Sequence, residues 1–428
     1  MLRPRPASAR QEACNRRPAT RALRTALALL LLHVPRSALA TDGVAEINQT
    51  CATQTGCFSG DSAGFPVTID GSAGSSYRLT GSLVVQSPSA SAISISVDDV
   101  SLDLNGFEIA RVGCAGGSLG CSVVQGSGSG VTSSRSRLAV HDGVVAGMGS
   151  SGIQLGDAAR VERVRVRFSG SHGVFVGAFS QVAQSTTDRN GGDGIRAIGG
   201  TVRENTTHHN TGNGVLTSIG SVVTGNVAHD NGTDGFRFEE GTTAVGNASY
   251  LNDGRGFFAG DVFGLKGSVT LRDNVAYDNQ AAGFVVGDAC NLSGNTSNDN
   301  GGSGFETGEG AVLAGNSARG NQSSGFFLGT GVTVRGSTSS GNGGDGIFVG
   351  SGSTVTDSAT RGNVGDGIQA LAGSVVSRNA SQANTGFGLR LSTGSGYREN
   401  VVSDNAGGSV LSGVDLGDNL CGTTAGCP

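Results

Sequence analysis

The sequence predicts an all-β solenoid, a rod of about twelve or more stacked coils with a 21-residue period. Three observations predict it. A Gly followed by an apolar residue recurs at Gly152, Gly173, Gly194, Gly214, Gly235 and Gly256, then at Gly283, Gly304, Gly325, Gly346, Gly367 and Gly388. Every step is 20 or 21 residues except the 27 between Gly256 and Gly283, and self-similarity at such a period marks stacked repeat units. Residues after the Gly alternate like a half-buried strand, as in Phe236-Arg237-Phe238 and Ile347-Phe348-Val349, while Gly and Asn interrupt any stretch long enough for a helix. A propeller blade needs about 40–45 residues, whereas one coil of three short strands and three turns fits the observed period.

Taken from the N-terminus, residues 1–40 read as an export signal. Seven arginines precede the apolar run Ala26–Leu32, and Ala38-Leu39-Ala40 offers small residues for cleavage. The run is too short to span a bilayer and no second apolar segment follows, so no transmembrane anchor is expected. Residues 41–82 are rich in Gly and Ser, fall off the beat, and read as an N-terminal cap. The β-helix is placed at 83–415, with a Gly/Ser loop bounded by Cys114 and Cys121 projecting from an early coil. Residues 416–428 form the C-terminal cap, closed by a disulfide.

Cysteine usage agrees with export. The close pairs Cys51/Cys57, Cys114/Cys121 and Cys421/Cys427 predict three local disulfides formed in an oxidising compartment, extracellular or periplasmic. No metal site is expected at them, because the spacings are not CxxC and no His accompanies them. With Cys14 inside the expected export signal, Cys290 is left over and falls among apolar columns, as a buried thiol.

The repeated positions have mechanical explanations. Asn sits four residues before the Gly (Asn210, Asn231, Asn252, Asn279, Asn300, Asn321) and, in a second column, nine before it (Asn205, Asn226, Asn247, Asn274, Asn295, Asn316). Coils stacked about 4.8 Å apart bring such side chains into hydrogen-bonded ladders. Small residues such as Ala228, Ser249 and Ala276 suit a narrow interior, and the apolar residue after each Gly stacks inside. All these columns are assigned to structure.

Val100–Ile109, reading VSLDLNGFEI, and Leu138–Val145, reading LAVHDGVV, resemble the opening coils of the right-handed parallel β-helix superfamily, the pectate-lyase-like fold with its parallel β-helix repeats and NosD-type relatives. The resemblance covers roughly residues 83–415 and implies a right-handed, single-stranded parallel β-helix. It implies little about activity, because the fold hosts many.

Function must be sought on outward positions. A net charge of −5 and a pI near 5.7 argue against a nucleic-acid partner. Six residues before the Gly runs the column Asp188, His208, His229, Tyr250, Tyr277, Asn298, Arg319, Ser340, Arg361, whose histidines and tyrosines suit a polysaccharide chain. Two residues after the Gly, Arg237, Phe258, Phe327 and Phe348 point outward, and the phenylalanines are more apolar than solvent requires. The 27-residue step holds Gly260–Gly267 with Lys266, the one lysine of the chain. A solenoid insertion becomes a loop, often on the binding face. A cation beside a uronate carboxylate, with a base nearby, is what β-elimination requires. Lys266, His229, Tyr250 and Arg237 are therefore the candidate catalytic group, and His208, His229, Tyr250, Tyr277 and Phe258 the candidate binding group.

Motif tests restrain the enzymatic reading. Acidic residues are scattered, so a calcium site lacks support and no cofactor is expected. Asp98-Asp99 and His172-Gly173 lack the companions a polygalacturonase-type site needs, Gly191–Gly194 reads as a turn, and His141-Asp142 and His208-His209 read as solvated pairs. Two classes stay open. The favoured one is a secreted structural or glycan/surface-binding protein with a polysaccharide or cell-surface partner. The other is a lyase, hydrolase or epimerase acting on an acidic polysaccharide.

Overall fold

The computed structural model describes residues 43–72, 74–260, 268–422, 424, 425 and 427. Thr41–Pro428 is one compact unit. The expected export signal at 1–40 and Lys266 lie outside the described residues.

Each coil contributes three strands, as in Thr243–Val245, Ala248–Tyr250 and Phe257–Ala259. A sharp two-residue corner at Gly246-Asn247 joins the first strand to the second, and a six-residue turn, 251–256, joins the second to the third. Among the described residues the third strands form one sheet of 16, so the rod has sixteen coils, more than the twelve traced by the Gly beat. First and second strands share a 32-stranded sheet that bends round the corner, because Ala139–Ala146 and Arg160–Arg167 run through it unbroken. Pairing is parallel throughout except where Leu420–Cys421 meets Thr424–Ala425 at the C-terminal end. That antiparallel pairing covers the strand edge left at Leu420–Cys421, where the Cys421–Cys427 disulfide also sits.

The coil stack starts earlier than the sequence beat. Ala45–Ile47 already pairs with Ser76–Leu79, and Val67–Ile69 with Ile93–Ile95, so residues expected as cap at 41–82 contribute strands. What covers the first coil is the short helix Gln49–Gln54, pinned by the Cys51–Cys57 disulfide. The Cys114–Cys121 disulfide closes the projecting loop, and Cys290 is a buried free thiol. Among the described residues no helix is long and apolar enough to cross a membrane.

Both Asn columns form ladders inside the corners. Asn295 is fully buried, accepts from the backbone N–H and the side-chain amide of Asn274 at 3.0 Å each, and donates to Asn316 at 3.0 Å. In the other column Asn300 donates to Asn321 at 3.0 Å and accepts from Asn279 at 2.9 Å. The ladders cross the 27-residue step without a break: Asn247 donates to Asn274 at 3.0 Å and Asn252 to Asn279 at 2.9 Å. The longer step falls in sequence between the third strand Phe257–Ala259 and the first strand Thr270–Arg272.

The interior is packed by like on like. Phe236, Phe257, Phe284, Phe305 and Phe326 stack along the third strands with ring centroids 4.7–4.9 Å apart. Each parallel ring contact adds about 0.5–1.5 kcal/mol to what its burial contributes. Gly before each ring is demanded by close approach: a Cβ on Gly235 would sit 2.8 Å from the Asn252 amide nitrogen and closer still to the Ser249 hydroxyl. From Gly147 onward the residue after each second strand takes a left-handed backbone, with φ of 54° at His209 and 52° at Asp230.

Candidate binding face

The second strands carry the His/Tyr column outward. Strand register sets Asp188 beside His208, His208 beside His229, His229 beside Tyr250, and Tyr250 beside Tyr277. The rings stack almost parallel, with centroids 5.0, 4.8 and 4.7 Å apart and interplanar angles of 3°, 2° and 12°. Ring faces are thus spent on one another. What the column leaves outward is ring edges, imidazole nitrogens and phenol hydroxyls, and not the open aromatic platform the residue types suggest. Beyond Tyr277 the column continues in register through Asn298, Arg319, Ser340 and Arg361. Asp299, Arg319, Ser340 and Arg361, with Gly320, Gly341 and Gly362 beside them, line a shallow depression. Arg319 and Arg361 are exposed and, among the described residues, make no ion pair.

Electrostatics differ along the column. Burial pushes His208 below its ordinary value of 6.5, opposed by the Asp188 carboxylate. His229 Nδ1 lies 2.6 Å from an Asp230 carboxylate oxygen. Burial, with Asp230 nearby, moves Tyr250 upward and so away from ionisation, the opposite of what a tyrosine general base needs. Tyr277 is raised in the same way.

Asp188 stands apart because its side chain is only 1% exposed. Its Oδ2 lies 2.8 Å from Arg189. Its Oδ1 has no hydrogen-bond partner, yet lies 3.2 Å from His208 Nδ1 and 3.9 Å from His209 Nδ1. The two Nδ1 atoms are 2.9 Å apart. The left-handed turn at His209 returns its ring to the column, edge-on to His208 at 5.1 Å.

Other expected residues do not join this group. Phe258 lies on a third strand and is 6% exposed, so it is no exposed anchor. The Arg255 guanidinium covers its ring at 3.6 Å, held there by Asp234 at 2.9 and 3.0 Å, and Arg237 approaches at 5.1 Å. Arg237 is thereby committed to Phe258 on a different sheet from His229 and Tyr250. Phe327 remains 51% exposed and stacks on Phe348 at 4.9 Å. Gly260 and Ser268, the described flanks of the Lys266 insertion, sit between third and first strands, a different corner from the His/Tyr column.

His141-Asp142, expected as a solvated pair, belongs instead to a charged cluster on the first strands. His141 Nδ1 lies 2.7 Å from Asp142, its Nε2 lies 3.5 Å from the Ser101 hydroxyl, and Asp103 is 3.7 Å away. The order resembles a hydroxyl–imidazole–carboxylate relay, but Arg163 clamps Asp142 at 2.6 and 2.8 Å and holds its pKa down to about 2. Nearby Glu162 is shared by Arg160, Arg163 and Arg203. The cluster is satisfied internally. Only the strand register, which brings Ser101 and Asp103 against Ala139 and His141, could have signalled it.

Residues 151–312 match the family model described as right handed beta helix region. No curated protein matches the chain. Among solved structures, the Azotobacter vinelandii mannuronan C-5 epimerase AlgE4 A-module is 15% identical, covering 79% of this chain and 89% of that one with a TM-score of 0.40. The Dettilon tailspike protein is 13% identical over 80% of this chain and 63% of its own, with a TM-score of 0.33. Pectate lyase Pel9A is 14% identical over 80% and 70%, with a TM-score of 0.24. These likenesses concern the fold alone. With the family match over residues 151–312 and parallel pairing of the stacked coils, the chain folds as a right-handed parallel β-helix.

Proposed function

We propose that the chain is a secreted binding rod whose second-strand face holds a linear acidic polysaccharide along the helix axis. The observation that carries this reading is the unbroken outward column from His208 to Arg361, in register over eight coils. Polar ring edges occupy one half of it and two arginines without ion-pair partners the other. A guanidinium suits carboxylates because its planar fork donates two parallel hydrogen bonds. Three disulfides and the signal-like residues 1–40 support export. Catalysis is the weaker reading, because burial moves Tyr250 away from ionisation and Arg237 lies over Phe258 on another sheet.

The test is calorimetric titration with uronate polymers and a neutral glucan, run beside absorbance of unsaturated products. The expected result is binding of the acidic polymers without turnover, weakened by salt. Arg319→Ala and Arg361→Ala should each reduce affinity about two- to fivefold, the scale of an exposed ion contact of about 0.5–1 kcal/mol. No binding at low salt, or binding indifferent to the double variant, refutes the reading. A rise in absorbance replaces it with a lyase.

A further inference from the structure

We propose that Asp188, His208 and His209 bind a single Zn2+ ion at the foot of the aromatic column. The proposal stands on the convergence of three ligand atoms and does not rest on the polysaccharide reading. Four ligands placed about 2.0–2.1 Å from zinc in a tetrahedron lie about 3.3 Å from one another. The separations here are 2.9, 3.2 and 3.9 Å, straddling that value. The atoms are Nδ1 of both imidazoles and Oδ1 of the carboxylate, a donor set suited to this ion.

A second observation is independent of the spacing. Asp188 Oδ1 is a buried carboxylate oxygen without a hydrogen-bond partner, aimed at both imidazole nitrogens. Leaving such an oxygen unmatched is costly, and buried charges are found paired or on metals. The contact between the two Nδ1 atoms uses one proton at most, so the ring pair by itself leaves Oδ1 without a donor. A cation at the centre satisfies all three atoms at once. Arg189 holds the other oxygen, Oδ2, at 2.8 Å and so fixes the carboxylate's orientation, as partners behind metal ligands commonly do. The backbone supports the ligands from adjacent coils: Asp188 and His208 are register neighbours, and His209 follows directly. His209 is 46% exposed on its side chain, so a fourth position opens to solvent and takes water or an anionic oxygen.

The Asp103, His141 and Asp142 group provides the contrast. Its donors also converge, but Arg163 and Arg78 already occupy the two carboxylates. A cation there would have to displace them.

The full chain, carrying no polyhistidine tag and stripped with chelator, is titrated with ZnCl2 by calorimetry, and retained zinc is counted after gel filtration. One equivalent is expected. Asp188→Asn and His209→Asn should each weaken binding at least tenfold, about the loss that disturbing even an outer partner causes. Asp103→Asn should leave it unchanged. Asn tolerates the left-handed backbone at position 209, so that variant tests the ligand even if the Asp188 variant fails to fold. Wild-type protein that retains no zinc overturns the proposal, as does one equivalent held equally by both ligand variants.

Discussion

Replacing Asn295 with Ala tests whether the side-chain ladder or the backbone pairing sets the rod's stability. In the native coil the Asn295 oxygen accepts two hydrogen bonds from Asn274, one from its backbone and one from its amide. Asn316 loses little, because its oxygen still accepts the backbone N–H of residue 295 at 2.9 Å. The substitution thus orphans two buried donors, each costing about 1–3 kcal/mol, for a loss of about 4 kcal/mol. Asn295→Ser should cost about half of that. The chain itself shows why: at 337 the ladder carries Ser, and the Asn316 backbone donates to its hydroxyl at 3.3 Å. Urea midpoints give the global effect, and hydrogen exchange of the Asn274 amide gives the local one, which matters because a solenoid can open coil by coil. Equal losses for Ala and Ser, or losses below about 1 kcal/mol for both, would refute the reasoning.

Three further outcomes are expected. Phe284→Ala removes a ring stacked at 4.7 and 4.8 Å on its neighbours and should lower stability by about 3–5 kcal/mol, read by thermal melting. Deleting residues 261–266 restores a 21-residue step and should change stability by less than about 1 kcal/mol, since both ladders already cross that step. His172 is pushed below its ordinary 6.5 chiefly by burial, against the opposing Asp193 carboxylate, and accepts the Asp193 backbone N–H at Nδ1. Its folded-state pKa is the lower one, so the unfolded chain takes the proton first. Its contribution is complete above about pH 6.5 and is lost as the pH falls below that. Melting temperatures between about pH 8 and about pH 5 should show this slope flattened in His172→Asn, and an unchanged slope counts against it.

What could be read from the sequence follows from what repeats. Asn columns, the Phe run and the His/Tyr column recur at one spacing, and parallel register carries that spacing directly into contact. The first coils hid because their steps are irregular: Ala45 pairs with Tyr77 and Ile93 with Val131, steps stretched by the helix-bearing and disulfide-bearing segments. Phe258 lost its exposure to Arg255, whose position depends on Asp234 one coil away, a contact between non-repeating residues. Column arithmetic put Asp188 beside His208, but the third member, His209, arrives through a left-handed turn that reverses the strand's alternation. Single-residue chemistry laid on a periodic frame is the part that sequence spacing does not reveal.

The side-chain ladders, carried across the long step, turn the rod into a ruler. Its marks fall about 4.8 Å apart because the sheet spacing sets them, and the longer step at Gly256–Gly283 shifts none of them. On the proposed reading, a polymer whose repeat is commensurate with those marks meets one outward side chain of the column at each graduation. One with another repeat drifts out of phase after a few units. Selection on such a surface is by period, not by the shape of a cavity, and its sharpness grows with the number of coils engaged.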